Sequence, residues 1–214
     1  MRISRRDKPG GSQKQRIHPS TNTSPMTEPL LEVEVKYPLA DPDDLRVRLL
    51  QHGASRLGVR TDSDRYFAAP DRDFAQTDEA LRVRRMGLTN VVTYKGPRRP
   101  SPTKTRPEIE VPLADGTDVA DDMEKLLIHL GYRPVTVVQK EREEYRWAHG
   151  NYVVQITLDD VAEVGHYAEL EIVTPAAEVA AAEAAVLSAA AVLGLSNPER
   201  RSYLALLLAK RAGG

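Results

Sequence analysis

The 214-residue sequence predicts an α+β fold, an antiparallel sheet closed upon itself with helices outside. Three observations point there. Most segments carry strand patterns, helices are inserted singly, and two more helices come at the end. Charged residues recur at i and i+2 on those strands, with apolar residues at the alternate positions. The charged sets are largely sorted by sign, which a solvated outer face has no reason to do.

The elements follow in order. Leu31, Val33, Val35 and Tyr37 alternate with Glu32, Glu34 and Lys36, the period of a strand. Asp41-Pro42-Asp43-Asp44 opens a helix that runs to about His52, and Gly53 stops it. Ala54 to Ala68 reads as a strand or a hairpin, ending before Pro70. Leu81–Met86 and Asn90–Lys95 are strands around Gly87, and Gly96 to Thr103 is a Pro-rich basic loop. Thr105–Pro112 alternates again. Val119–Leu130 is helical, with Gly131 as terminator. Tyr132–Trp147 and Asn151–Leu158 form a hairpin about His149-Gly150, and Tyr167–Val173 is a further strand. After Pro175 an Ala-rich helix runs to about Leu193, and a last helix runs from Pro198 to about Arg211.

The charged sets carry the chemistry. They are Glu32, Glu34 and Lys36; Arg82 and Arg84; Arg106, Glu108 and Glu110; Lys140 and Arg142; and Glu169 and Glu171. Residues at i and i+2 point to one side of a strand, roughly 6.5–7 Å apart. A tunnel with charge inside and apolar residues under outer helices satisfies both faces of such strands. Converging carboxylates repel unless a cation lies among them. Oxygen donors without Cys or clustered His select hard ions, so Mg²⁺ or Mn²⁺ is the expected cofactor. Facing Lys and Arg groups suit phosphate oxygens. Carboxylates, a hard cation and four or more basic groups in one cavity describe a polyphosphate site.

Composition bounds the alternatives. With 29% charged and 41% hydrophobic residues the chain reads as soluble and globular, long enough for one well-buried domain. No apolar run approaches the ~20 residues that span a bilayer. No cysteine is present, which excludes disulfides and thiolate metal sites and fits a cytoplasmic protein. The net charge of −1 gives no general pull toward nucleic acid or membrane. Residues 1–27 stand apart: Arg2, Arg5, Arg6, Lys8, Lys14 and Arg16 outnumber Asp7, and core-forming side chains are scarce. This basic tail is expected to be disordered. The folded domain is expected over residues 28–211.

Beyond these features the sequence resembles the CYTH family, the triphosphate tunnel metalloenzymes. Glu32-Val-Glu34-Val-Lys36 resembles the family's ExExK signature. Later motifs follow in family order: Tyr66-Phe67, Ala80-Leu81-Arg82-Val83-Arg84, Thr93-Tyr94-Lys95-Gly96-Pro97, Lys140-Glu-Arg142, Leu158-Asp159-Asp160, Glu169-Leu-Glu171 and Ser202-Tyr203. The resemblance covers roughly residues 30–207 and is closest to the class IV adenylyl cyclase branch.

The resemblance implies an eight-stranded antiparallel tunnel. It implies Glu32, Glu34, Glu169 and Glu171 as metal ligands, with Asp159 and Glu110 joining them or lying just behind. It implies Lys36, Arg82, Arg84, Lys95, Lys140 and Arg142 as the triphosphate clamp, with Arg106 as a further member. Lys95 and Asp159 enter through the resemblance alone. Catalysis is expected from Glu32, Glu34, Lys36, Glu169 and Glu171. The implied reaction is ATP to cyclic AMP and pyrophosphate. Hydrolysis of tripolyphosphate or thiamine triphosphate stays open, as do a non-catalytic polyphosphate-binding module and a homodimer. His166 adjoins the acidic pair on the opposite alternation, which points it away from the site.

Overall fold

The computed structural model describes residues 30–213, so the basic tail lies outside the described residues. Eight strands form a ring: β1 (Leu30–Pro38), β2 (Ser55–Ala68), β3 (Ala80–Met86), β4 (Thr89–Lys95), β5 (Lys104–Pro112), β6 (Arg133–His149), β7 (Tyr152–Val161) and β8 (Gly165–Pro175). Around the ring the order is β1-β5-β4-β3-β2-β6-β7-β8, and β8 pairs back onto β1. Neighbouring strands are antiparallel throughout. The closed antiparallel tunnel is therefore present, with all eight strands.

Alternation decides which side chains go where. Val33, Val35 and Tyr37 of β1, Ile156 and Leu158 of β7, and Leu170 and Ile172 of β8 are buried on the outer face. Helix α1 (Pro42–Gln51) and helix α4 (Val179–Val192) cover them through Leu45, Leu49, Val186 and Ala189. On the opposite flank, helix α3 (Val119–His129) packs Ala120 and Leu127 on Leu81 and Val83 of β3. The charged positions are left to face inward. A one-residue slip in any strand would exchange the two sets, so the hydrophobic pattern fixes the register.

One element settles an open choice and two differ from expectation. Residues 54–68 are not a hairpin: β2 is a single 14-residue strand, bent where its register with β6 shifts between Arg56 and Gly58. A one-turn helix, α2 (Phe74–Thr77), was not anticipated; the Asp73 side chain caps it by accepting from the Ala75 N–H at 2.9 Å. The last helix, α5 (Tyr203–Ala212), begins five residues later than Pro198 suggested. Ser202 is its cap, accepting from the Ala205 N–H at 3.1 Å. Residues 198–201 are committed elsewhere: the Glu199 N–H donates to the Lys36 carbonyl at 2.7 Å, and Arg200 donates to the Ser101 and Pro102 carbonyls. These tertiary contacts hold residues 199 and 200 outside the helix.

The late start places α5 across one end of the tunnel. There the inward positions change from charged to apolar, with Tyr66, Val138 and Val161 receiving Tyr203, Leu206 and Leu207. Among the described residues no helix is long and apolar enough to cross a membrane.

Candidate functional site

The inward face encloses a cavity of about 1430 Å³ running along the tunnel. One wall is acidic. β1 and β8 lie side by side, with Glu34 opposite Glu171 and Lys36 opposite Glu169 in the register. Glu32 and Glu34 are 4% and 6% exposed, so little water reaches them. Glu32 accepts from Lys95 Nζ through both oxygens at 2.7 Å, and Lys95 also reaches Glu108 at 2.7 Å. Glu34 accepts from Lys104 Nζ at 2.7 Å. Burial opposes ionisation of Glu34, but Lys104, Lys36 and Lys95 outweigh it and hold its carboxyl well below the ordinary range. Glu171 has no ion-pair partner among the described residues. Burial pushes its carboxyl up to about 7; Glu34 and Glu108 add to the rise and Lys95 opposes it.

Basic groups come from the other strands of the ring. Arg82 and Arg84 come from β3, Lys140 and Arg142 from β6, Lys95 from β4, and Lys104 and Arg106 from β5. Most are held by carboxylates. Arg142 forks onto Asp159 at 2.7 and 2.6 Å and also donates to Glu169 at 2.6 Å. Among the described residues some buried donors are left over. The Nε atoms of Arg82 and Arg106 are buried without a hydrogen-bond partner. Lys36, 1% exposed, comes no nearer a carboxylate than 3.9 Å, from Glu169. Its ammonium also lies 3.9 Å from the centre of the Tyr203 ring. Burial, with Lys104 nearby, brings Lys36 down to about 7 against the pull of Glu169 and Glu34. A buried, unsatisfied donor is costly in an empty protein and valuable to an anionic ligand.

The structure thus brings together Glu32, Glu34, Lys36, Arg82, Arg84, Lys95, Arg106, Lys140, Arg142, Glu169 and Glu171 around one cavity. Two expected ligands stand apart. Asp159 is taken by Arg142 and by the Tyr203 hydroxyl, which donates at 2.8 Å. Glu110 lines the cavity with its side chain 52% exposed, accepting from Thr93 Oγ1 at 3.1 Å. His166 lies outside the tunnel beside Asp160, as its alternation implied. Sequence reasoning missed Asp62, Asp64, Lys104 and the role of Tyr203. Asp62 and Asp64 carry the same i and i+2 spacing as the other sets, and Lys104 extends the Arg106 set by one tooth.

The fold agrees with what the chain is similar to. The CYTH domain family matches residues 30–203. The chain belongs to the CYTH family. A Methanocaldococcus jannaschii protein named "Putative adenylate cyclase MJ0240" is 35% identical over 142 residues, covering 66% of this chain and 77% of that one. The solved structure of PH1819 from Pyrococcus horikoshii OT3 is 36% identical, with a TM-score of 0.73, and covers 84% of this chain and 99% of that one. A Hippeastrum protein, "Putative adenylyl cyclase HpAC1", shares the fold at 16% identity and a TM-score of 0.58, over 86% of this chain and 96% of its own. Its structure is described as revealing a dominant triphosphatase activity.

Among the described residues no three acidic or histidine side chains converge closely enough to hold a metal as they stand. Glu32 and Glu34 are turned to Lys95 and Lys104 instead. The donor set still fits a hard divalent ion. Glu32, Glu34, Glu169 and Glu171 offer oxygen donors from two adjacent strands, and Glu171 is a half-buried carboxylate with no ion-pair partner among the described residues.

Proposed function

We propose that this CYTH protein is a metal-dependent enzyme that draws a triphosphate into its tunnel and converts ATP to cyclic AMP and pyrophosphate. The observation that carries this reading is the set of buried donors without a close partner around the carboxylates: Lys36 beside them on β1, Arg106 on the adjoining strand and Arg82 across the ring. A triphosphate offers acceptor oxygens spread along a chain, matching cations that come from separate strands. The cavity volume exceeds what tripolyphosphate alone requires and leaves room for a nucleoside. The name of the Methanocaldococcus relative supports the cyclase reading.

Glu32, Glu34, Glu169 and Glu171 would hold Mg²⁺ or Mn²⁺, which supplies Lewis-acid charge to the triphosphate oxygens when bound. Arg82, Arg106 and Lys36 fix the triphosphate and offset charge that builds on the transferring phosphoryl group. The ribose 3′-oxygen forms a bond to the α-phosphorus, the bond to the β-phosphoryl oxygen breaks, and pyrophosphate leaves. With its pKa near 7, Lys36 Nζ can accept or return a proton at neutral pH. Tyr203 and the rest of α5 keep water from that end of the tunnel. A cytoplasmic setting belongs to the same proposal.

The second reading is hydrolysis of the terminal phosphate, supported by the activity described for the Hippeastrum protein. One assay separates the two. The protein is incubated with Mg²⁺ or Mn²⁺ and, separately, ATP, tripolyphosphate and thiamine triphosphate, and products are resolved by chromatography. Cyclic AMP with pyrophosphate supports the cyclase. Orthophosphate with no cyclic nucleotide supports the triphosphatase. No turnover of any of the three would overturn both.

A further inference from the structure

β2 lies between β3 and β6 in the ring, and it carries two carboxylates that the reaction above does not use. Asp62 and Asp64 are 0% and 1% exposed. Asp64 Oδ1 accepts from Arg84 Nε at 2.6 Å. Its Oδ2 accepts from Arg84 Nη2 at 2.8 Å, from Lys140 Nζ at 2.9 Å and from Arg82 Nη1 at 3.3 Å. One carboxylate therefore gathers cations from both flanking strands. Asp62 stands beside it, 3.6 Å from Arg84 Nε and 3.6 Å from Lys140 Nζ, and is itself bound by Arg60 Nε at 2.7 Å.

We propose that Asp64 is a positioning residue for the triphosphate clamp, holding Arg82, Arg84 and Lys140 at a fixed spacing toward the cavity. This rests on the triphosphate reading above. Three cations packed this closely repel one another in a medium of low polarity. Without an anion among them the side chains separate, or Lys140 gives up its proton. Burial, with Arg84 and Arg142 alongside, already draws Lys140 down to about 8 against the support of Asp64. Arg84 spends Nε and one N–H of Nη2 on Asp64, so Nη1 and the outer N–H of Nη2 remain for a ligand. A planar fork pinned on one edge presents its other edge in one direction. A purely stabilising role explains this poorly, because well-packed apolar groups serve stability as well as buried ions do.

The converse role is that Asp64 competes with the ligand for the same cations, and it has the opposite consequence. Removing a competitor tightens binding, whereas removing a positioner loosens it. Tripolyphosphate binding in buffer containing Mg²⁺ is measured by calorimetry for wild type, Asp64→Asn, Asp64→Glu, Arg84→Ala and the Asp64→Asn/Arg84→Ala double variant. Near-ultraviolet circular dichroism and a melting curve report the fold of each. Asp64→Asn is expected to bind about tenfold more weakly, the scale of one charge-assisted contact. In the Arg84→Ala background the same change is expected to lose less than about threefold, because residues that act as a unit are not additive. Asp64→Glu keeps the charge balance but displaces the fork by one methylene, and it is also expected to bind about tenfold more weakly. Equal or tighter binding by folded Asp64→Asn overturns the proposal, as does full additivity in the cycle. If Asp64→Asn does not fold, Asp64→Glu decides, and unchanged affinity there overturns it. Wild type that binds no tripolyphosphate overturns the proposed function itself, and this inference with it.

Discussion

Replacing Glu171 by Gln tests the acidic wall without any substrate. The variant keeps the shape of the side chain and removes its charge. In the folded protein the Glu171 carboxyl titrates at about 7, against 4.5 ordinarily. The folded state therefore holds this proton more tightly than the unfolded chain, and stability falls as pH rises from about 4.5 to about 7. Above that range the whole penalty is present; below it there is none. One pKa unit is worth about 1.4 kcal/mol, so the full penalty is about 3 kcal/mol. Relaxation of the neighbouring carboxylates lowers the expected gain for the variant to about 1–3 kcal/mol. The assay is urea unfolding with a chelator present, at pH 5 and pH 8. Glu171→Gln should be more stable than wild type at pH 8 and nearly level with it at pH 5. If Glu171 is the metal ligand proposed above, excess Mg²⁺ should then narrow or reverse the difference at pH 8. A stability difference that is the same at both pH values would refute the reasoning.

Other consequences are as direct. Arg106→Ala should weaken tripolyphosphate binding by about 1.5–3 kcal/mol and orthophosphate binding much less, since a short ligand leaves part of the clamp empty; equal losses for both ligands would count against a linear clamp. Tyr203→Phe removes the hydroxyl that binds Asp159 but keeps the ring over Lys36. It should lower stability by about 1 kcal/mol in chemical denaturation and leave tripolyphosphate affinity unchanged. Leu170→Ala deletes a fully buried side chain from the outer face of β8 and should destabilise by about 2–5 kcal/mol, with unfolding midpoints as the readout.

Much of this architecture is legible in the chain before any coordinates. Glu32, Glu34 and Lys36 alternate with Val33 and Val35, and that alone separates an inner from an outer face, because side chains on a strand have a period of two. The site residues that escaped notice did so for local reasons. Asp62 and Asp64 lie in a stretch whose phase is broken at Gly58, so a strand and a hairpin were equally compatible with it. Lys104 sits where a Pro-rich loop turns into β5, and a strand begun at Thr105 cuts it off. The position of Tyr203 depends on where α5 starts. Pro198 is a good first-turn residue by local rules, but the Glu199 N–H and the Arg200 side chain are drawn into long-range hydrogen bonds that local rules do not register. Lys95 and Asp159 carry no pattern of their own and became visible only through the family resemblance.

The ring order has a consequence for how the protein is made. β1 is an early segment of the chain, and it pairs with β8 from Leu30 opposite Pro175 to Pro38 opposite Tyr167. As the chain leaves the ribosome, β1 must wait for almost the whole sequence before that partner exists. Its closure is a contact of very long sequence separation, the kind that slows folding. The same pairing sets Glu34 opposite Glu171, so closing this seam brings two carboxylates together. On the proposed metal-binding reading, divalent cations would ease this repulsion and favour closure of the seam.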